Sequence, residues 1–304
     1  MMEGSRSRVL VTGGSGFIGR RVVRALLDGG NEVTSADRHE FADDRVQSVV
    51  GDLCDPAVVT QAIQPGTDAI IHLAAVTSVV QSMADPVGTY KLNVAATASL
   101  LERARQVGVR SFLLASTNAV TGNVGKATIN ESVPLRPLTP YGATKAAGEM
   151  LLSAYVASYG MHGAALRFSN VYGPGMESKD SFIPRLMRAA RDGTGVQVRG
   201  DGSMLRDVVH VDDVVAGLLL AWRAGHHGPL ILGSGHSVSV NEMVDAARVV
   251  TGAPIPVEYV PVGPGEMPAV IIDISAARAL GYEPGHDLKA GIATVWPEFS
   301  ETAK

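Results

Sequence analysis

The stretch "RVLVTGGSGFIGRRVVRALLDGG", Arg8 to Gly30, decides the fold. Its first part is a short β-rich run that ends in glycines. Its last part repeats apolar residues at helical spacing, Ile18, Val22, Val23, Leu26 and Leu27, until Gly29 and Gly30 stop it. Between them Gly13, Gly16 and Gly19 give the spacing G-x-x-G-x-x-G. A strand, a glycine turn and a helix in that order form a cradle. Glycine permits the tight turn, and backbone N–H groups at the helix N-terminus then face a diphosphate. Phe17 and Ile18 ride in the same loop and are assigned with it.

Working outward, "NEVTSAD" reads as a second strand, "RVQSVVGD" as a third, "DAIIHLAA" as a fourth, "RSFLLAS" as a fifth and "GAALRF" as a sixth. Long helical stretches are expected at roughly Pro86 to Gly108 and Tyr141 to Tyr159. Near-continuous apolar strands alternating with helices predict an α/β fold, a doubly wound parallel sheet covered on both faces. After Arg167 the rhythm changes to shorter, mixed elements, with helices near Phe182–Arg191 and Asp212–Ala224. The expected division is a dinucleotide-binding domain over 1–170, with a segment near 207–228 packing back on it. A smaller mixed α/β substrate domain is expected over 171–304.

Composition narrows the function. The chain has 304 residues, 46% of them hydrophobic, enough for a sizeable core. A net charge of −4 and the absence of a polybasic run argue against nucleic acid as a partner. The one cysteine, Cys54, rules out an internal disulfide and a cysteine-based zinc site. "MMEGSRSR" lacks the apolar core of a signal peptide, and no stretch reads as a membrane span; a cytoplasmic protein is expected.

Asp37 ends the second strand where a carboxylate can bind both ribose hydroxyls of an adenosine, and it repels a 2′-phosphate, so NAD is the expected cofactor. Arg38 follows as a solvated residue within reach of the same ribose. Asp52 and Leu53 end the third strand at the adenine edge. Leu73, Ala74 and Ala75 end the fourth, where small side chains let a cofactor lie close. His72, inside that strand, reads as a core histidine.

In "TPYGATKAAGEM" Tyr141 and Lys145 share a helix face. A neighbouring ammonium lowers the ionisation of a phenol, which makes Tyr141 a candidate acid–base at neutral pH, and Lys145 can also reach a ribose. Proton transfer at an alcohol oxygen is helped by a second hydrogen-bonding group. Ser116 and Thr117, at the end of the fifth strand, supply hydroxyls there.

With "VTGGSGFIG", "GDLCD", "HLAA", "NVAAT", "ASTNAVTG", "PYGATKAAGE", "LRFSNVYGPG" and "LRDVVHVDDVV" in this order, the chain resembles the extended short-chain dehydrogenase/reductases almost end to end. The likeness is to their NAD-dependent sugar-nucleotide epimerase/dehydratase group. The resemblance implies that Thr117 is the third catalytic group beside Tyr141 and Lys145, that Ser116 lies with the cofactor, and that Asn93 supports the active site. It places Thr77 and Asn118 with the substrate, and Asn170 and Arg206 on its diphosphate. It also implies a homodimer through the two long helices.

Three departures bear on the reaction. Thr121 stands where the group carries a tyrosine. Asn118 and Ala119 stand where its dehydratases carry an Asp-Glu pair, so sugar dehydration by that route lacks its proton carriers. Gly263 stands where a second diphosphate-binding arginine is usual, with Arg185, Arg188 and Arg199 as replacements to consider. The expected activity is NAD-dependent C4 epimerisation of a nucleoside-diphosphate sugar, a UDP-sugar by analogy, through a 4-keto intermediate. A ketoreductase or dehydrogenase with net redox turnover is the alternative, and a non-catalytic dinucleotide-binding scaffold is a third reading.

Overall fold

Val9 to Thr12 are buried one after another, so the opening run can only be an interior strand, β1 (Arg8–Thr12). The structure, a computed structural model, describes residues 6–263 and 267–300. Helix α1 (Gly19–Asp28) turns Val22, Val23 and Leu26 inward, as their spacing predicts, and Gly30 leaves it with a φ of 79°. The next strands are β2 (Glu32–Asp37), β3 (Val46–Val50), β4 (Ala69–His72), β5 (Ser111–Thr117), β6 (Thr128–Ile129) and β7 (His162–Phe168). They are followed by β8 (Asn170–Tyr172), β9 (Val196–Arg199), β10 (Leu205–His210), β11 (Gly228–Leu232), β12 (Ser237–Ser239), β13 (Val257–Val260) and β14 (Ile271–Ile272). All six strands expected from the sequence are present.

Seven strands make one sheet in the order β11-β7-β5-β4-β1-β2-β3. The pairs β1–β2, β2–β3, β1–β4 and β4–β5 are parallel. The chain leaves β1 toward β2 on one side and reaches β4 on the other, so the crevice at the strand ends opens beside β1. This is a doubly wound, Rossmann-like sheet. Leu10, Ile70, Leu100, Leu101, Phe112 and Leu114 are at most 2% exposed and belong to one core cluster. Each buried Leu or Ile there contributes about 1.5–3 kcal/mol.

The helical stretch after β4 differs from a single long helix. It contains α3 (Val79–Ala84), α4 (Pro86–Tyr90), a π-helical turn over Lys91–Ala95 and α5 (Ala96–Val107). Such turns widen a helix locally and re-aim a side chain; the one re-aimed here is Asn93. Helix α2 (Pro56–Ala62) is absent from the sequence reading, although Asp55 caps it and Pro56 opens it. Helix α6 (Pro140–Tyr159) begins on the Thr139 cap, whose hydroxyl accepts from Gly142 N, and ends at Gly160 in the left-handed region.

The described chain forms two compact units. The first runs to Gly122 and adds Val133–Arg167 and Leu218–Leu230. The second takes Asn123–Ser132, Phe168–Gly217 and the described residues from Ile231 onward. In the second unit β12-β10-β8 form a small sheet, and β13 pairs with β9 and β14 with β6. Helices α7 (Phe182–Asp192), α9 (Val240–Thr251) and α11 (Leu288–Ser300) pack on one another there. Helices α8 (Val211–Arg223) and α10 (Ser275–Ala279) complete the set. Among the described residues, no helix is long and apolar enough to cross a membrane.

Candidate active site

The glycine loop is shaped so that side chains cannot enter it. Gly13 has a φ of 70°, and a Cβ on it would lie 2.8 Å from Ala74 N. A Cβ on Gly16 would sit 3.0 Å from Gly13 O, and one on Gly19 would overlap that oxygen. Gly13 is therefore needed where the loop meets the end of β4, and Gly16 and Gly19 where the start of α1 closes on Gly13. Phe17 and Ile18 line the loop and are partly exposed, and Arg21 stacks over the Phe17 ring at 6.0 Å. Asp37 closes the loop on its other side. Its carboxylate accepts from Ser15 N at 3.1 Å and from His39 N at 3.2 Å and stays partly exposed. A bare backbone cradle with a fixed, accessible carboxylate at its edge fits the diphosphate and ribose of a dinucleotide.

Around that cradle the sequence candidates divide. Leu73, Ala74 and Ala75 are partly exposed at the end of β4. Arg38 is exposed, and its charge acts on Asp52. Asp52 is held below its usual ionisation, mainly by a hydrogen bond from Cys54 N at 2.9 Å. The Leu53 side chain is 4% exposed and lies in the core, so its backbone is the part that can meet an adenine. Thr77 is exposed in the loop after β4.

His72 is a core histidine, and its role is structural. Its Nδ1 lies 2.6 Å from Thr12 Oγ1 and its Nε2 2.9 Å from Thr97 Oγ1. Thr97 donates its own proton to Asn93 O at 2.8 Å, so its oxygen accepts from Nε2–H, and Nδ1 accepts from Thr12. Burial, reinforced by the Lys145 charge, pushes the His72 pKa down to about 3.

Asn93 sits in the π-helical turn and is 3% exposed. Its Oδ1 accepts from Val76 N at 2.8 Å, and its Nδ2 donates to Val76 O and Thr144 Oγ1, both at 3.0 Å. Thr144 donates on to Tyr141 O at 2.8 Å. Asn93, which the resemblance places in support of the active site, gives both amide hydrogens to the protein. It ties the loop after β4 to the first turn of α6.

Tyr141 and Lys145 lie on α6, beside the end of β5. The Thr117 hydroxyl lies near the Tyr141 phenol and favours its ionised form. Burial is the larger effect and pushes Tyr141 above its ordinary value. Lys145 is 5% exposed and donates to Ala115 O at 2.9 Å; burial brings its pKa down to about 8, against the Glu149 charge. The sequence expectation that Lys145 acidifies Tyr141 therefore needs correction. Both side chains lose water, and desolvation penalises each charged form. Ser116 also departs from expectation, because its hydroxyl donates to the buried Glu149 carboxylate. Glu149 in turn pairs with Arg167 at 2.8 Å. Neither residue was singled out from the sequence, although Glu149 follows Lys145 by one helical turn, a legible signal.

Asn118 Oδ1 accepts from Thr117 at 3.3 Å, and Thr121, buried, donates to Asn118 O at 2.8 Å. Thr121 thus braces the turn after β5, where a tyrosine would need much more room.

In the second unit Asn170 begins β8 and Arg206 lies on β10, with Asn170 in register with Val208. The small sheet therefore brings both to one region. Asn170 Nδ2 donates to Asp207 O at 2.8 Å, and Arg206 Nη1 donates to Leu205 O at 2.8 Å. Residues 264–266, part of the segment expected to carry a second arginine, lie outside the described residues. A Cβ on Gly263 would be 3.3 Å from Arg199 Nη1, so the Arg199 guanidinium occupies the space beside that position. Arg188 donates to Glu177 O and Lys179 O, and Arg185 stacks on Phe182.

Comparison with known proteins gives one consistent result. The NAD dependent epimerase/dehydratase family matches residues 9–232. A dTDP-glucose 4,6-dehydratase of Streptomyces griseus is 34% identical over 305 residues, which cover 94% of this chain and 92% of that protein. A UDP-glucose 4-epimerase of Corynebacterium glutamicum is 32% identical over 317 residues, covering 95% and 94%. The crystal structure of a Thermus thermophilus UDP-glucose 4-epimerase in complex with NAD matches with a TM-score of 0.89 at 32% identity, over 96% of this chain and 98% of that one.

Proposed function

Because the chain belongs to the NAD-dependent epimerase/dehydratase family, with NAD as its cofactor, we propose that it epimerises a nucleoside-diphosphate sugar at C4. A UDP-sugar is the substrate of choice. NAD is assigned to the glycine cradle, and the sugar nucleotide's diphosphate, by the resemblance, to Asn170 and Arg206. NAD is held by the Gly13–Gly16–Gly19 cradle and Asp37. When bound, it supplies a two-electron acceptor and donor for the sugar carbon, with a positive ring that favours the Tyr141 phenolate.

Tyr141 takes the proton from the C4 hydroxyl as that carbon is oxidised. Thr117 hydrogen-bonds the same oxygen and holds it beside the phenol. The 4-keto sugar then turns over in the pocket, the carbon is reduced from its other face, and Tyr141 returns the proton. Lys145 stands one turn below and is the cation that reaches the ribose. Arg206 and Arg199 give the diphosphate charge-assisted hydrogen bonds; Arg199 takes the place left by Gly263.

The observation that carries epimerisation over dehydration lies in the turn after Thr117. Removing water from the sugar needs an acid and a base there. Asn118 and Ala119 supply neither; Asn118 Oδ1 is engaged with Thr117. The test is incubation of the NAD-loaded protein with UDP-glucose and, separately, dTDP-glucose. The expected product is the C4 epimer, with the mass unchanged and no stoichiometric rise in the near-ultraviolet absorbance of reduced nicotinamide. A product lighter by one water would make the enzyme a dehydratase, and stoichiometric cofactor reduction would make it a net oxidoreductase.

The proposed assembly is a homodimer through the helices α3, α4 and α6. Val80 is 73% exposed, Met83 58%, Val87 63%, Tyr90 54% and Met150 67%, an apolar set on helices that pack together in the first unit. Light scattering is expected to give twice the monomer mass, and Met150→Glu with Val87→Glu to reduce it to one. A monomeric wild type would remove this assignment.

A further inference from the structure

Lys145 is shut off from solvent, and the charge that offsets its burial comes from Glu149, one turn further along α6. Glu149 is itself buried and fixed on two other sides. Arg167, on β7, donates Nε to both carboxylate oxygens at 3.1 and 3.2 Å and Nη2 to Oε2 at 2.8 Å. Ser116, on β5, donates its hydroxyl to Oε1. The Glu149 and Arg167 side chains are 7% and 4% exposed. Ser116 immediately precedes Thr117, and Ala115 O accepts from Lys145. One carboxylate therefore joins the helix carrying Tyr141 and Lys145 to the strand end carrying Thr117 and to the adjacent strand β7.

We propose that Glu149, clamped by Arg167 and Ser116 and one helical turn from Lys145, is a positioning residue that places an anionic charge beside the Lys145 amine and fixes the end of β5, with Thr117, against α6. The proposal rests on the reading that Tyr141 and Lys145 form the reacting centre. An ion pair this deeply buried is weak evidence for stability, because desolvation opposes its attraction. A role in setting charge and register explains its place better. The titratable and charged groups facing this cluster among the described residues are Tyr141 and Lys145 on α6, Arg167 on β7 and His72 on β4. β5 contributes only the Ser116 hydroxyl. His72 stays neutral throughout the useful assay range, and Tyr141 ionises above its ordinary value, so a change in the range near pH 8 reports Lys145.

The test is the pH profile of kcat in Glu149→Gln, which keeps the shape and removes the charge. Activity that needs the Lys145 ammonium falls as pH rises through its pKa. In Glu149→Gln that alkaline limb is expected to move down by about one pH unit, with kcat at the acid end within a few-fold of wild type. Glu149→Asp, which restores the charge, is expected to return the limb toward wild type. Urea stability of the full chain gives a readout independent of turnover. A lysine with a depressed pKa makes the folded state gain stability as pH rises between its folded and unfolded values, about 8 and 10.5. In Glu149→Gln this gain begins at lower pH. Should the single variant not fold, Glu149→Gln with Arg167→Met removes both charges and leaves no lone buried ion. A limb and a stability rise both fixed at the wild-type pH, with kcat lowered evenly, would overturn the proposal. Failure of the reacting-centre reading would show separately, as turnover surviving Tyr141→Phe, while the stability profile still tests the link between Glu149 and Lys145.

Discussion

Tyr141→Phe is expected to cut turnover of the sugar nucleotide by about 10²–10⁴-fold, the usual contribution of a positioned acid–base group. The reason is local. The Thr117 hydroxyl near the phenol donates to Asn118 Oδ1, and the Lys145 amine is turned to the Ala115 carbonyl, so neither group stands ready to replace the lost oxygen. The backbone of residue 141 is held without the hydroxyl, by Ser82 Oγ at 3.2 Å and by Thr144 through Tyr141 O. The variant should therefore fold, keep NAD and lose stability by only about 1 kcal/mol, the worth of one hydrogen bond. Measured kcat, bound NAD and thermal midpoint together decide the matter. Turnover within a few-fold of wild type in a folded, NAD-loaded variant would mean that another group carries the proton.

A second large effect is expected on acid stability, and it comes from His72. Its folded pKa of about 3 lies below its ordinary 6.5, so between those values the unfolded chain binds a proton that the folded chain refuses. The stability this contributes is complete above pH 6.5 and is lost as pH falls toward 3. At one pH unit per 1.36 kcal/mol the loss by pH 4 is about 3 kcal/mol, and by pH 3 about 4 kcal/mol. Carboxylates also titrate in this range, so the quantity to measure is a difference. Urea unfolding of wild type and His72→Gln at pH 7 and pH 4 should show the wild type losing about 3 kcal/mol more. Equal losses would mean that the imidazole accepts its proton without penalty inside the fold. The bridging geometry argues otherwise, because Nε2–H is committed to Thr97 and a proton on Nδ1 would face the Thr12 hydroxyl.

How far the site could be read before folding depends on how local its cause is. Gly13, Gly16 and Gly19 are legible because the constraint is backbone geometry between a strand and the helix that follows it. Tyr141 and Lys145 are legible as a pair because one helical turn separates them. Neither pattern reveals environment. The depth at which α6 is buried, and not the spacing of the two residues, raises the phenol and lowers the amine. Asn93 shows the same limit: its place could be read from the resemblance, but the π-helical turn that carries it and its bonds to Val76 and Thr144 could not. Leu53 shows it from another side: its apolar side chain goes to the core, which leaves its backbone as the part that can meet a ligand.

By itself the sequence determined the alternation of the first six strands with helices, the doubly wound sheet, the glycine cradle and the choice of NAD. Each follows from hydrophobic period, backbone freedom or the sign of one charge, all carried by neighbours along the chain. Only the tertiary structure brought Thr117 to Tyr141, Arg167 and Ser116 to Glu149, and Thr12 and Thr97 to His72. These are contacts between residues distant in sequence, closed off from water. There the free energy of a charge depends on which groups surround it, and no local pattern along the chain encodes that.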